Sequence, residues 1–575
     1  MDVRRIISVV ATALLLVAFV APAVSAEAPS PQAEALLKIE PSLRPLAASG
    51  DNQLVHVFIT AHEGTQVEQY MEQSFARPAG LPGDQMTFGF IRASNLIKVA
   101  GLKGVTSVQP IVLERNGPVS PPADFQRQPD LKAIRARLAE LKANAVSYAD
   151  APELKGREDG AITGWHDVGP THKSSLAWDK GYKGDGVLVA VADDGVDFAH
   201  PDLMDTWATV EDPESPYYGW PMMFSPISMY LYALDNYFGY DYTASNVITW
   251  YSDTSATPAV DATSEEAAEG KAHLTYAPVG GARSTAHTYI IPDTSVSGVY
   301  HVGSHPDDNL AAYYGEAVAV LVVDEHTAGV YDTVYVDLDG DYDFTNEKPV
   351  TKASPASYRD MDGDGYTDIS GGLVYFIADG VNPIPASDWL YGEPFAPIPA
   401  NGSLVAFHGA FDAGYTHGTQ CASNVVGQGV LNAMAPVYND LPGDGTPGGM
   451  VVGAAPNAKV VGISDIYYNF DSSKLDTYLF SVLGYDGIPE TGDEIQIVSN
   501  SYGSSDQDND GWEFDGRYLD QLVRLISPST SFLFSTGNGA PGFGTSAPPS
   551  PSVGIAVGAS TQFGSTGWDS ITSTT

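Results

Sequence analysis

The distribution of apolar positions predicts strands and helices at several places along the chain. Residues 54–60 form an apolar run that predicts a strand, and residues 95–108 predict a helix, a turn and a further strand. Four apolar residues then recur at helical spacing and so share one face of a predicted helix: Leu131, Ile134, Leu138 and Leu141. Residues 187–192 form an unbroken apolar run that ends in an Asp-Asp-Gly turn, which is typical of a buried strand in a parallel sheet.

A long segment of different composition follows that strand. Residues 210–405 are rich in Tyr, Thr, Val and Gly, which predicts a β-rich domain inserted into another domain. Of the 575 residues, 43% are hydrophobic, which is enough to form a buried core. The length of the chain implies more than one domain.

Three polar residues carry the candidate chemistry. Asp193 follows the apolar run at 187–192, His417 begins a His-Gly-Thr-Gln-Cys motif, and Asn538 lies within Gly-Asn-Gly. A carboxylate on a rigid strand end can orient an imidazole, and the imidazole can take a proton from a nucleophile and return it to the leaving amine. A side-chain amide can donate to a developing oxyanion. Each motif alone is more often a turn or a loop, so their order along the chain carries the interpretation.

These motifs resemble the subtilase family of serine proteases (subtilisin and kexin, peptidase family S8) in the family's own order. Further motifs that resemble the family lie at residues 452–461, 497–503 and 551–559. The resemblance implies an α/β fold, a subtilisin-like parallel sheet with helices on both faces. It also implies peptide-bond hydrolysis by an Asp-His-Ser triad in which Asp193 orients, His417 is the general base and acid, and Asn538 stabilises the oxyanion.

Several details resemble the kexin branch of that family. These are the Asp-Asp-Gly turn at Asp193, Cys421 in the histidine motif, and residues 501–516, which resemble the kexin segment that lines a pocket for a basic residue. We expect Cys421 to pack beneath His417.

The same resemblance implies a substrate-binding set. The backbones of Ser501 and Gly503 would pair with the substrate strand. Three carboxylates would bind Arg or Lys side chains of a protein or peptide substrate: Asp194, Asp506 and Asp515. The acidic loop that contains the last two also fits calcium binding or a solvated surface.

The nucleophile does not follow the family pattern. The family places Gly-Thr-Ser-x-Ala several tens of residues beyond the oxyanion asparagine, whereas Ser546 lies shortly after Asn538 and is followed closely by prolines, which suit a helix interior poorly. The strand predicted at 553–559 also follows Ser546 instead of preceding it. We therefore expect that Ser546 is not the nucleophile, that the serine lies downstream of Thr575, and that this N-terminal fragment does not itself hydrolyse peptides.

The chain is expected to consist of four segments. Residues 1–26, with an apolar run at 6–20 and a Val-Ser-Ala ending, predict a signal peptide and a secreted, extracellular protein without a membrane anchor. By the same resemblance, residues 27–114 are an α+β propeptide that acts as an intramolecular inhibitor, and residues 171–575 are a C-terminally incomplete catalytic domain with the β-rich insertion. Residues 115–170 between them are a linker with a helix.

The net charge and the cysteine content limit which partners the protein can bind and how it can be stabilised. The net charge of −43 argues against nucleic acid as a partner, since binding phosphates needs a basic surface. The single cysteine, Cys421, forbids an internal disulfide, which for an exported protein indicates a prokaryotic source and stabilisation by metal ions or packing.

Two acidic loops in the predicted insertion have the spacing of calcium ligands. The more regular loop places oxygen ligands at positions 1, 3, 5, 7 and 9 of an EF-hand-type pattern: Asp360, Asp362, Asp364, the Tyr366 carbonyl and Asp368. Position 12 is a glycine, so another segment or water would complete the shell. The less regular loop is either a second site or a solvated turn: Asp337, Asp339, Asp341 and Asp343.

Three other functions also fit the sequence. One is a pseudoenzyme that keeps the fold in order to bind peptides. Another is an exopeptidase similar to tripeptidyl peptidases, which also carry large insertions between the aspartate and the histidine. The third is a calcium-dependent surface or adhesive protein.

Overall fold

The computed structural model divides the chain into two compact units, Met1–Ile111 and Val112–Thr575. The predicted signal peptide and linker lie outside the residues that the structure describes. The described residues, to which every structural statement below refers, are 30–78, 84–110, 174–226, 229, 250–251, 254–256, 271–278, 285–305, 307–361, 367–391, 398–408, 417–429, 452–464, 471–502, 514–536, 553–558, 560–561 and 570–571. Among them, no helix combines the length and apolar character that crossing a membrane requires.

The first unit is a four-stranded antiparallel sheet with three helices. The strands are β1 (Leu54–His62), β2 (Met71–Pro78), β3 (Asp84–Arg92) and β4 (Val105–Pro110), in the order β2-β3-β1-β4. The helices are α1 (Pro31–Leu37), α2 (Arg44–Ser49) and α3 (Ala93–Ala100). The strand predicted at 54–60 is β1, and the helix, turn and strand predicted at 95–108 are α3, its following turn and β4. Both predictions are confirmed.

One apolar core holds this unit together. Leu96 and Val99 on α3 pack with Val57 and Ile59 on β1, and all four are fully buried. The apolar face of α3 follows from their spacing, because residues three apart lie on one side of a helix. Helix α1 begins where the Ser30 hydroxyl accepts a hydrogen bond from the Ala33 amide at 3.2 Å, which caps its first turn.

The second unit contains nineteen strands and six helices among its described residues. The strands are β5 (Leu188–Ala192), β6 (Met223–Phe224), β7 (Trp250–Tyr251), β8 (Thr254–Ala256), β9 (His273–Tyr276), β10 (His287–Ile290), β11 (Tyr300–Ser304), β12 (Ala319–Val323), β13 (Thr333–Val336), β14 (Val350–Thr351), β15 (Ala356–Arg359), β16 (Ile369–Ile377), β17 (Leu404–His408), β18 (Lys459–Ile463), β19 (Ile497–Asn500), β20 (Ser531–Ser535), β21 (Ile555–Val557), β22 (Ser560–Thr561) and β23 (Ser570–Ile571). The helices are α4 (Ser174–Trp178), α5 (Asp308–Tyr314), α6 (Ser387–Tyr391), α7 (His417–Val426), α8 (Asp471–Leu483) and α9 (Phe514–Leu525).

A six-stranded parallel sheet lies at the centre of this unit. Its order is β21-β20-β19-β5-β18-β6, and every neighbouring pair is parallel. Strand β5 lies between β18 and β19, and its Val189 to Ala192 are buried, as the apolar run at 187–192 predicted. Helices α8 and α9 connect β18 to β19 and β19 to β20 along the chain, which is the crossover arrangement that parallel strands require. The predicted α/β class with a parallel sheet is confirmed.

The strands between β6 and α7 form separate antiparallel sheets. One has five strands in the order β14-β13-β12-β11-β8, another has four in the order β15-β16-β17-β7, and β9 pairs with β10. The predicted insertion at 210–405 covers this region. Strand β6, at Met223–Phe224, pairs with β18 in the parallel sheet, so the antiparallel sheets begin after it, and β17 extends to His408.

Candidate active site

Asp193 lies at the carboxyl end of the central strand β5. The Asp193 amide donates to the Ile463 carbonyl at 3.0 Å, which ties this strand end to β18. The Asp193 carboxylate is buried, with 1% of its side-chain surface exposed. A parallel sheet presents side chains for chemistry at the carboxyl ends of its strands, so this is a rigid place for an orienting carboxylate.

His417 is the first residue of α7 and faces Asp193. Its Nδ1 lies 2.8 Å from Asp193 Oδ1 and 3.0 Å from Oδ2. The hydrogen bond to Asp193 raises the pKa of His417, and partial burial opposes this effect. When Nδ1 carries the proton toward the carboxylate, the neutral imidazole has its basic lone pair on Nε2, which is the tautomer that general-base catalysis needs.

Gly418 lets α7 begin this close to the strand end. A Cβ atom at Gly418 would lie 2.0 Å from the Gly195 carbonyl oxygen and 3.0 Å from Asp193 Cβ, so no larger residue fits without movement. The Gly418 amide donates to Asp194 Oδ1 at 2.7 Å, and the Asp194 amide donates to Asp193 Oδ1 at 3.0 Å. Gly418, which has no side chain, and the Asp194 carboxylate, which caps α7, together fix the distance between α7 and β5.

Cys421 lies one helical turn after His417. Its Sγ is 3.8 Å from His417 Nδ1, as expected for a residue that packs beneath the imidazole. Burial raises the pKa of the thiol to about 12, so it is neutral at ordinary pH and a poor nucleophile. Asp193, His417 and Cys421 offer atoms within 4.8 Å of one another, but Nδ1 is already engaged with the carboxylate.

The structure describes only some of the other residues that the sequence predicts for catalysis and substrate binding. Ser501 directly follows β19 and is partly buried, and the backbone of Asp515 lies in α9. Asp194 has one carboxylate oxygen engaged in the cap of α7. Four other predicted residues lie outside the described residues: Gly503, Asp506, Asn538 and Ser546. Their assigned roles stay predictions.

The less regular acidic loop brings three carboxylates together. Asp337, Asp339 and Asp341 offer oxygen atoms within 4.8 Å of one another. Burial raises the pKa of Asp337 to about 7, with further increases from Asp339 and Asp341. Asp339 Oδ2 forms an ion pair with Arg359, whereas its buried Oδ1 has no hydrogen-bond partner among the described residues. These features fit a hard cation, which carboxylate oxygens bind and whose charge would offset their repulsion.

A cavity of about 360 Å³ adjoins this loop. Asp337 and Asp339 line it together with tyrosines that include Tyr289, Tyr314 and Tyr342. The volume leaves room for the water ligands that complete a calcium shell. Asp343 differs from the other three, because its Oδ1 accepts a hydrogen bond from the Thr345 amide at 2.9 Å and caps the short helix Phe344–Asn346.

The more regular acidic loop is described only at its ends. Asp360 precedes Met361, whose amide donates to Asp368 Oδ2 at 2.7 Å. Asp362, Asp364 and Tyr366 lie outside the described residues. Calcium binding by this loop therefore stays a prediction.

The sequence of the histidine region is similar to a known protein family. Residues 408–574, which include His417, match the model described as Subtilase family. This match supports the predicted family, and Asp193, the partner of His417, lies outside the matched segment.

Two individual proteins are also similar to this chain. A stretch of 82 residues, 14% of this chain, is 31% identical to furin of Bos taurus and covers 10% of it. Fervidolysin from Fervidobacterium pennivorans, a keratinolytic enzyme related to subtilisin, is similar in structure with a TM-score of 0.29 and 10% identity. That similarity covers 85% of this chain and 41% of fervidolysin. This chain thus spans a tenth of the length of the curated relative and about two fifths of the solved structure.

Proposed function

We propose that this chain belongs to the precursor of a secreted serine endopeptidase that hydrolyses protein or peptide substrates. The hydrogen bond between His417 Nδ1 and Asp193 carries the proposal, because it joins two residues from distant parts of the chain in the geometry of a proton-transfer pair. The match of residues 408–574 to the subtilase family model supports the choice of a serine nucleophile. The oxyanion role of Asn538 rests on the sequence resemblance.

The proposed reaction uses the pair as an acid and a base in turn. His417 Nε2 takes the proton of the nucleophilic serine as its oxygen attacks the scissile carbonyl, and it then returns a proton to the leaving amine. Asp193 keeps the ring oriented and stabilises the imidazolium. A water molecule attacks the acyl-enzyme in the second half of the reaction, with His417 again as the base.

The test is turnover together with labelling of the nucleophile. We expect the natural gene product to cleave internally quenched peptides and to react with a fluorophosphonate, and peptide mass spectrometry will identify the labelled serine. His417→Gln should lower kcat by several powers of ten, whereas Asp193→Asn should lower it by about 10⁴ because the wrong tautomer is favoured. Turnover that survives His417→Gln, or labelling of no serine, contradicts the proposal. Labelling of Ser546 would show that our expectation for that residue is wrong.

Two supporting roles belong to the same proposal. The first compact unit, with its own sheet and core, would serve as the intramolecular inhibitor of the precursor. Calcium would be a structural ion, held by Asp337, Asp339 and Asp341 in one loop and by the loop from Asp360 to Asp368 in the other. In the first loop it would neutralise carboxylates that otherwise repel one another.

A further inference from the structure

Two hydroxyl groups from the antiparallel region hold the loop that follows Asp193. The Ser370 hydroxyl donates to Asp197 Oδ1 at 2.6 Å, and the Thr367 hydroxyl donates to the Ala199 carbonyl at 2.6 Å. Ser370 and Asp197 are 173 residues apart in sequence, and Thr367 and Ala199 are 168 apart. Both contacts therefore join the β-rich region to the turn that carries the candidate catalytic carboxylate.

Asp197 also connects this loop to the helix that begins with His417. Its amide donates to Thr419 Oγ1 at 3.0 Å, and Thr419 is two residues after His417. Its carboxylate additionally accepts from the Ala199 amide at 3.0 Å. Burial raises the pKa of Asp197 to about 7, and the Ser370 hydrogen bond opposes that increase. A single residue thus contacts both the β-rich region and α7.

Ser370 lies on β16, a strand that is buried along its whole length and paired on both sides. Every residue of β16 from Ile369 to Ile377 is buried, and β16 pairs with β15 on one side and β17 on the other. The Ser370 hydroxyl oxygen accepts from the Gly372 amide at 3.2 Å, which directs its proton toward Asp197. A hydroxyl fixed in this way can restrain the carboxylate that it contacts.

We propose that Ser370 and Thr367 are positioning residues for the pair Asp193 and His417. The β-rich region fixes the loop at Asp197 and Ala199, and Asp197 transmits this restraint to α7 through Thr419. The inference rests on the proposed catalytic roles of Asp193 and His417, and it assigns to the β-rich region a direct part in holding the active site together. Loss of either hydroxyl lets the loop move, so the distance between His417 Nδ1 and Asp193 increases.

The test is the protonation of His417, which needs no turnover. The full chain is labelled with ¹⁵N-histidine, and His417 is assigned from the resonance that His417→Gln removes. Because Asp193 raises the pKa of His417, a weaker bond should lower it toward its ordinary value of 6.5. We expect Ser370→Ala and Thr367→Val each to lower the pKa by about half a pH unit, which is roughly a threefold change in proton affinity.

Matched variants separate this effect from a general loss of stability. Thr367→Ser keeps the hydroxyl and should leave the titration of His417 as in the natural protein. Thr333→Val removes a buried hydroxyl from β13 that bonds to Asp332 instead of this loop, and it should also leave the titration unchanged. Thr367→Val is nearly isosteric, so it keeps the test valid if Ser370→Ala does not fold.

The outcomes distinguish this inference from the proposed function. An unchanged titration of His417 in folded Ser370→Ala and Thr367→Val overturns the positioning role, whatever the activity. An equal fall in Thr333→Val also overturns it, because the effect would then be general. Absence of peptide turnover in the natural protein contradicts the proposed function but leaves the measured coupling to His417 intact.

Discussion

At the scale of single residues, the absent side chain of Gly418 determines how closely His417 can approach Asp193. The Gly195 carbonyl, which a Cβ at Gly418 would meet at 2.0 Å, belongs to the backbone and cannot rotate away. We predict that Gly418→Ala lowers the free energy of unfolding by about 1–3 kcal/mol, as overpacking typically does. It should also move α7 away from β5. Urea denaturation measures the first effect, and the titration of His417 measures the second.

Gly558 offers a control for that substitution. A Cβ there would have Thr536 Oγ1 at 3.5 Å as its neighbour, which is an ordinary contact. Gly558→Ala should therefore change stability by less than about 0.5 kcal/mol. Equal stability losses in the two variants would show that the close approach at Gly418 is not the cause.

The raised pKa of His417 predicts opposite pH dependences for stability and for activity. The folded protein binds the proton of His417 more tightly than the unfolded chain, because Asp193 stabilises the charged ring. Its contribution to stability is therefore complete below pH 6.5, the ordinary value, and is lost as the pH rises through the folded pKa. Activity should rise over that same interval, because only the neutral ring can accept a proton.

Two measurements check this prediction. The difference in urea midpoint between the natural protein and His417→Gln should be largest at acidic pH and should shrink toward neutral and alkaline pH. The pH dependence of peptide turnover should follow an ionisation with a pKa above 6.5. When Asp193→Asn is also present, His417→Gln should no longer change the urea midpoint. Activity that falls as the pH rises through this interval would contradict the assignment of His417 as the base.

At the scale of elements, the sequence predicts those strands and turns that are determined by short patterns of neighbouring residues. Strand β5 follows from its unbroken apolar run, and the position of Asp193 follows from the turn that ends it. The meeting of Asp193 with His417 does not follow from spacing, since 224 residues separate them, and only the family resemblance predicted it. The roles of Thr367 and Ser370 were missed, because no local pattern indicates that a hydroxyl will meet a carboxylate 173 residues away.

The acidic loop at Asp337 predicts that acid stabilises the protein when calcium is absent. The folded pKa of Asp337 is about 7 against an ordinary value of 3.8. Between these values the folded protein holds a proton that the unfolded chain has lost, so stability falls as the pH rises. Calcium should remove this fall, because it favours the ionised carboxylates. At a concentration of about 100 times its Kd, calcium should add about 2.7 kcal/mol to the free energy of unfolding.

Variants of this loop check the assignment. In a calcium chelator, Asp337→Asn should reduce the slope of stability against pH, and it should also reduce the stabilisation by calcium. Asp343→Asn is the matched control, since Asp343 caps Thr345 and lies outside the three-carboxylate group. Calcium stabilisation that persists fully in Asp337→Asn would place the ion elsewhere, with the loop from Asp360 to Asp368 as the next candidate.

At the scale of the whole molecule, a large β-rich region separates Asp193 from His417 along the sequence, although the two side chains are in contact. The entropic cost of closing a loop grows only slowly with its length, so a long insertion between Asp193 and His417 is tolerated. A rigid insertion can also add contacts that a flexible loop cannot, as Ser370 and Thr367 illustrate. The β-rich region thereby becomes part of the support for the site instead of a passive addition.

The division into two compact units predicts two separate unfolding transitions. Each unit has its own buried core, so each should unfold cooperatively by itself. Ile59→Ala, at a fully buried position of β1, should cost the first unit about 2–5 kcal/mol and lower its transition by about 10 °C or more. Leu519→Ala, fully buried in α9, should lower the other transition instead. Differential scanning calorimetry of the full chain measures both. If either substitution lowers both transitions equally, the units unfold as one, and the stability of the first unit then depends on the second.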